Sequence, residues 1–489
     1  MEKLSRIFKN SFMLAFLLVI TLQKTLPVQA KSSSSAFLSS GQTWYVSTTG
    51  NDSNTCLSPD LPCKTMKAAI NKASNGDVVK ITNETFFSSG TSESQVVLIN
   101  KNIELSGGWN ANFTNRDGYT TVDGANAKRG ITINNGVSAS INYFMVINGK
   151  AFGGGGILNQ GSATLNNLII HDNQSLTGGG GVSNDGTITI NKSFIYDNRA
   201  AYGGGGGIDA DSDSVTYINQ SAIYSNEAES GGGGGVNVDG YNNQLIIHDS
   251  TIAYNFSDKG GGLALGANTN LYNVTIANNH AESEGGGIYT AYYGSFTIFN
   301  GIFSENTTNL GFYNCGGYGQ KYFDGHSIDY PASCGYSGSN EPKRINPKLG
   351  EFLAPLGYFP LLADSPAIDT GNLITCSEVD QREVSRPQGA GCDLGAYEYT
   401  IPSQPNKLIL LSGDSQRIPP GFVAPNPLSV AVVDSQGTPV PGVQVTFTAP
   451  VDGASAKFQD TNSNITTIPT DVHGIAQTSY LIANNLSGT

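Results

Sequence analysis

Across residues 153–309 apolar and polar positions alternate in short bursts. Strings such as TITIN (187–191) and SFTIFN (295–300) put every second side chain on one face, which is the period of a strand. No helical stretch separates them, and the bursts recur. Glycine runs begin at Gly153, Gly178, Gly203, Gly231, Gly260 and Gly285, at spacings of 25, 25, 28, 29 and 25 residues. A period in this range marks a solenoid. Each run is followed by an inward-type apolar residue: Ile157, Val182, Ile208, Val236, Leu263 and Ile288. Each repeat closes on an apolar residue with asparagine three positions later, giving Asn173, Asn198, Asn226, Asn255, Asn279 and Asn306. The pattern predicts an all-β fold, a right-handed parallel β-helix with one repeat per coil and coils about 4.8 Å apart. The six asparagines would stack as an amide ladder at one turn. The glycines would fill corners where a left-handed φ or close coil contact leaves no room for a Cβ.

Outside the repeats the pattern changes. WYVSTTGND (44–52) reads as a first strand and turn. Residues 62–81 read as an amphipathic helix followed by a strand, with Met66, Ala69, Ile70 and Ala73 on one face. A solenoid end exposes strand edges and core, so this helix is expected to cap it. Coil regularity is expected to fade through 310–350, and residues 365–372 and 386–399 to close the domain. TIPSQPN (400–406) reads as a linker. Beyond it, LSVAVVD (428–434) and VQVTFTA (443–449) read as antiparallel strands joined by a hairpin-like turn at 436–442. The expected divisions are a leader at 1–30, a β-helix domain at 31–399, the linker, and an incomplete β-sandwich at 407–489 that reads as part of a longer protein.

Charge and cysteine usage narrow the setting. A net charge of −13 argues against a nucleic-acid partner. Lys3, Arg6 and Lys9 precede an apolar stretch at 12–22 and a small-residue cleavage site ending at Ala30, the plan of an export signal. The expected location is therefore extracellular, secreted or at the cell surface. Cys56, Cys63, Cys315, Cys334, Cys376 and Cys392 fall into three locally close pairs. In an exported chain these read as disulfides; fifteen connectivities exist, and proximity favours the sequential one.

No catalytic set stands out. Asp172 and Asp197 occupy equivalent positions one repeat apart and would stack as a carboxylate pair or as a solvated turn. The two longest repeats carry IDADSDS (208–214) and NVDGYNN (237–243) in adjacent coils. Asp209, Asp211, Asp213 and Asp239 are candidate Ca²⁺ ligands there, against the alternative of a solvated acidic loop. No other cofactor is indicated. Tyr289, Tyr292 and Tyr293 form a candidate sugar-stacking turn, or plain packing surface.

Residues 44–81 and 363–399 resemble secreted β-helix proteins of the choice-of-anchor type. The carrying strings are WYVSTTGND, PCKTMKAAINKA, SPAIDTGN and DQREVSRPQGAGCDLGAYEY. The GGG[IV] repeats also look like polymorphic outer-membrane adhesins, although Phe stands before the ladder asparagine only in the last repeat. Residues 407–489 resemble a bacterial immunoglobulin-like domain of the invasin/intimin type, on LSVAVVDSQGTPVPGVQVTFTAP and TDVHGIAQTSY. The resemblances imply a non-catalytic surface protein. It would act in adhesion by binding glycans or surface proteins of other cells, with membrane attachment only through a C-terminal anchor beyond the sequence. The alternative is a polysaccharide lyase or hydrolase of the pectin-lyase-like β-helix type.

Overall fold

The computed structural model describes residues 41–88, 93–211, 213–240, 242–338 and 340–486; the expected leader lies outside them. The coil that starts at Val182 shows how the repeat folds. It has four short strands: Val182–Asn184, Thr187–Asn191, Phe194–Tyr196 and Arg199–Tyr202. Each pairs in parallel with its counterpart one repeat on, Val182 opposite Ile208, Thr187 opposite Val215, Phe194 opposite Ala222 and Arg199 opposite Glu227. Repetition of this plan gives a parallel β-helix. Among the described residues its first to fourth sheets hold 9, 11, 10 and 8 strands.

The corners have local causes. Between the second and third strands the chain turns on one left-handed residue, such as Asn167, Lys192 or Gln220. Between the third and fourth it turns on Asp172, Asp197, Ser225, Tyr254, Asn278 and Glu305, all with φ between 51° and 56°. A left-handed non-glycine residue costs roughly 1–2 kcal/mol, and the asparagine that follows each offsets this. Asn198 Nδ2 donates to Asn226 Oδ1 at 3.0 Å, Asn226 to Asn255 at 2.9 Å and Asn255 to Asn279 at 2.9 Å. These asparagines are at most 1% exposed. The ladder runs on through Asn306 to Asn314 and ends on Asp329. The glycine runs lie between the fourth and first strands, where coils nearly touch. A Cβ on Gly180 would stand 2.4 Å from the Gly206 carbonyl oxygen.

Inside, Val182, Ile190 and Ile195 and their equivalents are fully buried. Each such side chain contributes roughly 1.5–3 kcal/mol by leaving water. At the N-terminal side the helix is shorter than the pattern suggested, Met66–Lys72, with Thr65 accepting from the Ala68 N–H at 3.1 Å. Met66, Ala69 and Ile70 join the core. At the other side regularity continues further than expected. Cys315–Gly317, Gln320–Phe323 and Ile328–Tyr330 add another coil. It lacks a glycine run, so the repeat was invisible in sequence, but Asn314 and the Cys315–Cys334 disulfide hold it.

Residues 349–399 fold back as a strap over the third sheet. Thr251 Oγ1 donates to Gln381 at 2.7 Å, and the Ala396 N–H donates to Thr275 Oγ1 at 3.0 Å. Beneath the strap Arg386 is wholly buried, 3.0 Å from Glu398 and 3.8 Å from Asp249. Burial pushes the Asp249 carboxyl up to about 7, against the pull of Arg386. Of the strings that carry the choice-of-anchor resemblance, SPAIDTGN and DQREVSRPQGAGCDLGAYEY lie in this strap, whereas WYVSTTGND and PCKTMKAAINKA hold the first strand and the capping helix.

The C-terminal region holds three small antiparallel sheets. Ser429–Val433 pairs with Lys407–Ser412 and Ile475–Gln477, whereas Gln444–Thr448 pairs with Ile465–Pro469. The expected hairpin between 428–434 and 443–449 is therefore corrected: the intervening segment folds onto Val433 through Pro439 and carries the chain to a second sheet. Residues 400–406 form no strand, yet Thr400 is buried and the Ser403 N–H donates to Asp434 at 3.1 Å.

Candidate functional site

The residue that turns each coil before the buried ladder asparagine points outward, and the residue after that asparagine begins the fourth sheet. These two columns enclose a groove of about 350 Å³, lined among others by Asn148, Asp172, Gln174, Asp197, Arg199 and Glu227. The backbone beneath is rigid, since the Asp172 N–H donates to the Asp197 carbonyl at 3.1 Å with the ladder behind it. Asp172 and Asp197 stand one coil apart, as their repeat positions require. His171 Nδ1 lies 2.6 Å from Asp172 Oδ2, and its ring stacks on Tyr196 at 4.8 Å. Burial raises the Asp197 carboxyl, the nearby Asp172 charge adds to this, and His171 opposes it. Arg199 forms ion pairs with Glu227 at 3.7 Å and with Glu229. Chemically the groove offers three carboxyl groups, several amides and a guanidinium braced by Glu227 and Glu229, a set suited to hydroxyl-rich ligands.

Gln174 and Glu227 were not singled out from sequence. The signal was present: each directly follows a ladder asparagine, so the fourth-sheet column reads Gln174, Arg199, Glu227, Phe256, His280.

The aspartates of the long repeats are placed differently from expectation. Ile208–Ala210 and Val236–Val238 are adjacent strands, so the two insertions do lie side by side. Asp209, however, sits on the strand rather than the bulge. It is 5% exposed and accepts from Asn237 Nδ2 at 2.8 Å. Burial pushes its carboxyl up to about 7, with Asp239, Asp211 and Asp185 adding to the rise and Asn237 opposing it. Asp213 takes a left-handed turn conformation. Among the described residues no three His, Cys, Asp or Glu side chains gather closely enough to hold a metal ion. The Ca²⁺ set Asp209, Asp211, Asp213 and Asp239 is therefore not assembled, because strand register carries Asp209 away from the loop.

Tyr289 is half-buried under Lys259, whose Nζ lies 5.2 Å from the ring. Tyr292 and Tyr293 are 75% and 72% exposed and meet edge to face at 5.0 Å. The cysteines pair sequentially, Cys56–Cys63, Cys315–Cys334 and Cys376–Cys392, consistent with an extracellular protein. A second cavity of about 390 Å³ lies between solenoid, strap and C-terminal sheets; its Lys192 and Arg382 are paired with Glu383 and Asp380.

The fold defines an all-β protein built on a parallel β-helix solenoid. No protein-family model and no curated protein matches the chain. Among solved structures it is similar to a crystal structure of pectate lyase Pel9A, with 16% identity and a TM-score of 0.46 over 73% of this chain and 96% of that one. It is also similar to rhamnogalacturonan lyase, with 15% identity and a TM-score of 0.37 over 66% and 97%.

Proposed function

We propose that this is an exported β-helix protein of the cell surface or its surroundings, acting in adhesion by binding glycan in the groove between the third and fourth sheets. One observation carries the reading. Outward polar side chains at Asp172, Gln174, Asp197 and Arg199 are aligned on a backbone that a fully buried amide ladder makes rigid. Such preorganisation lowers the ordering cost of binding. Three disulfides, the expected export signal and the immunoglobulin-like strings after residue 407 support the extracellular, stalk-borne setting.

A second reading has its own observation. Two carboxyl groups one coil apart, of which Asp197 is raised by burial and by Asp172, have the make-up of a glycosidase acid and its partner. One experiment separates the two. Immobilised polysaccharides are probed with the wild-type chain, Asp197→Asn and Gln174→Ala, and reducing-end release is followed in parallel. Adhesion predicts retention that both variants weaken at least tenfold, with no reducing ends formed. Reducing ends that vanish in Asp197→Asn would establish the hydrolase instead. Retention untouched by either variant would reject the groove.

A further inference from the structure

A second feature lies on the outward face of the second sheet. Strand register puts Lys80 opposite Ser106, Ser106 opposite Asn142, and then Asn166, Asn191 and Asn219 in one column. The asparagines form an amide ladder of their own, half-buried at the surface: Asn166 donates to Asn142 at 2.7 Å, Asn191 to Asn166 at 2.8 Å and Asn219 to Asn191 at 2.9 Å. Beside it runs a row of hydroxyls, Ser140, Thr164, Thr189 and Tyr217.

At the N-terminal end of this track two cations share one indole. Lys80 Nζ lies 3.9 Å from the Trp109 ring centre and the Arg116 guanidinium carbon 5.0 Å from it. Arg116 also stacks on Tyr143 at 4.4 Å. A bulge builds the corner. Register shifts between Lys80 and Thr82, which brings Trp109 over the column, and a turn after Trp109 returns the chain to Arg116. Ser106 Oγ then accepts from Trp109 Nε1 at 3.1 Å and from Arg116 Nη2 at 2.7 Å, while Arg116 Nε donates to the Gly107 carbonyl at 3.2 Å. These bonds fix the guanidinium of a residue that is otherwise exposed.

The electrostatics are incomplete. Lys80 forms no ion pair among the described residues. The nearest acidic influence, Glu104, is itself engaged by Asn142 Nδ2 at 3.0 Å. Two like charges held against one ring repel each other, and an anion placed between them relieves that repulsion. In a chain of net charge −13, two adjacent cations with only Glu104 acting on Lys80 are a local positive spot.

We infer that Lys80, Arg116, Trp109 and Tyr143 form a subsite for the carboxylate or sulfate of an anionic glycan, whose following sugars lie along the Asn142–Asn219 amide track. This site is separate from the groove at Asp172 and Asp197 and does not rest on it.

The test uses the mature chain, with tryptophan fluorescence and calorimetry as readouts. Three probes of equal length are compared: hexagalacturonate, a sulfated maltohexaose and the methyl ester of hexagalacturonate. The expected result is that at least one anionic probe binds ten times or more tighter than the neutral ester, that added salt weakens it, and that Lys80→Gln and Arg116→Gln each cost at least tenfold. Lys80→Arg, which keeps the charge, is expected to retain binding, and Lys457→Gln, at an exposed lysine of the C-terminal sheets, to leave it unchanged. Carboxylated and sulfated probes distinguish the two sources of the anion. Equal binding of the ester, no binding of either anion, or full binding by a Lys80→Gln chain with unchanged circular dichroism would overturn the inference. Loss in Asp197→Asn with none in Lys80→Gln would assign the glycan to the corner groove instead.

Discussion

Replacing Asn226 by alanine tests what holds the solenoid upright. Its Oδ1 accepts from the Asn198 N–H at 3.1 Å and from Asn198 Nδ2 at 3.0 Å. Its Nδ2 donates to the Ile195 carbonyl at 2.9 Å, the Tyr224 carbonyl at 3.0 Å and Asn255 Oδ1 at 2.9 Å. Alanine removes all five bonds in a site 1% exposed. The Asn198 N–H is left without its acceptor, at a cost of about 1–3 kcal/mol, and the other four lost bonds cost about 0.5–1.5 kcal/mol each, less what relaxation and entering water recover. A net loss of roughly 3–5 kcal/mol follows, at the upper end for single substitutions. Urea unfolding measures it, and hydrogen exchange locates it. Because the ladder bonds run only between adjacent coils, protection should fall in the coils of Asn198, Asn226 and Asn255 and in the strap segment that Gln220 and Thr251 hold, and persist elsewhere. Asn191→Ala is the matched control. Asn191 belongs to the surface ladder, where water replaces lost partners, so under about 1 kcal/mol is expected. If Asn226→Ala costs no more than Asn191→Ala, the buried ladder does not carry the fold.

Two further expectations use the same structure. Gly206→Ala puts a Cβ 2.5 Å from the Gly234 carbonyl oxygen, whereas at Gly203 nothing lies within 4 Å and only a φ of +54° opposes it. The first should destabilise the fold by clearly more than the second, whose cost is about 1–2 kcal/mol; equal effects would contradict the close-approach account. Asp209 has a folded carboxyl raised from 3.8 to about 7, so the native state holds its proton longer and stability declines as pH rises from about 4 to 7. Asp209→Asn should therefore be more stable than wild type at pH 8, by at most about 4 kcal/mol, and gain nothing at pH 4; a gain independent of pH would refute this.

What was legible in the sequence was whatever the coil repeats. Asn173 to Asn306 and the glycine runs recur because each coil needs the same buried amide and the same narrow corner, so their spacing gave the solenoid directly. The four-strand division was not readable, since three-residue strands such as Val182–Asn184 carry too little alternation. Contacts made once were hidden as well. Arg386 meets Asp249 across more than a hundred residues with no period to announce it, and Lys80 meets Trp109 only through a bulge. The Asp209 loop misled for a related reason. Composition suggested a chelating set, while register decided which carboxylate faces solvent.

The strap also sets a rule for how the molecule can change length. Its bonds reach Gln220, Thr251, Asn273, Thr275 and Asn300, each at a fixed height on the solenoid. A coil duplicated before Gly153 moves none of these heights and only lengthens the shaft. A coil added between Gln220 and Asn300 displaces the upper anchors by one pitch, about 4.8 Å, and strands Arg386 away from Asp249. The solenoid thus has a stretch before Gly153 that can be lengthened without disturbing the strap, and a gauged stretch between Gln220 and Asn300 that cannot.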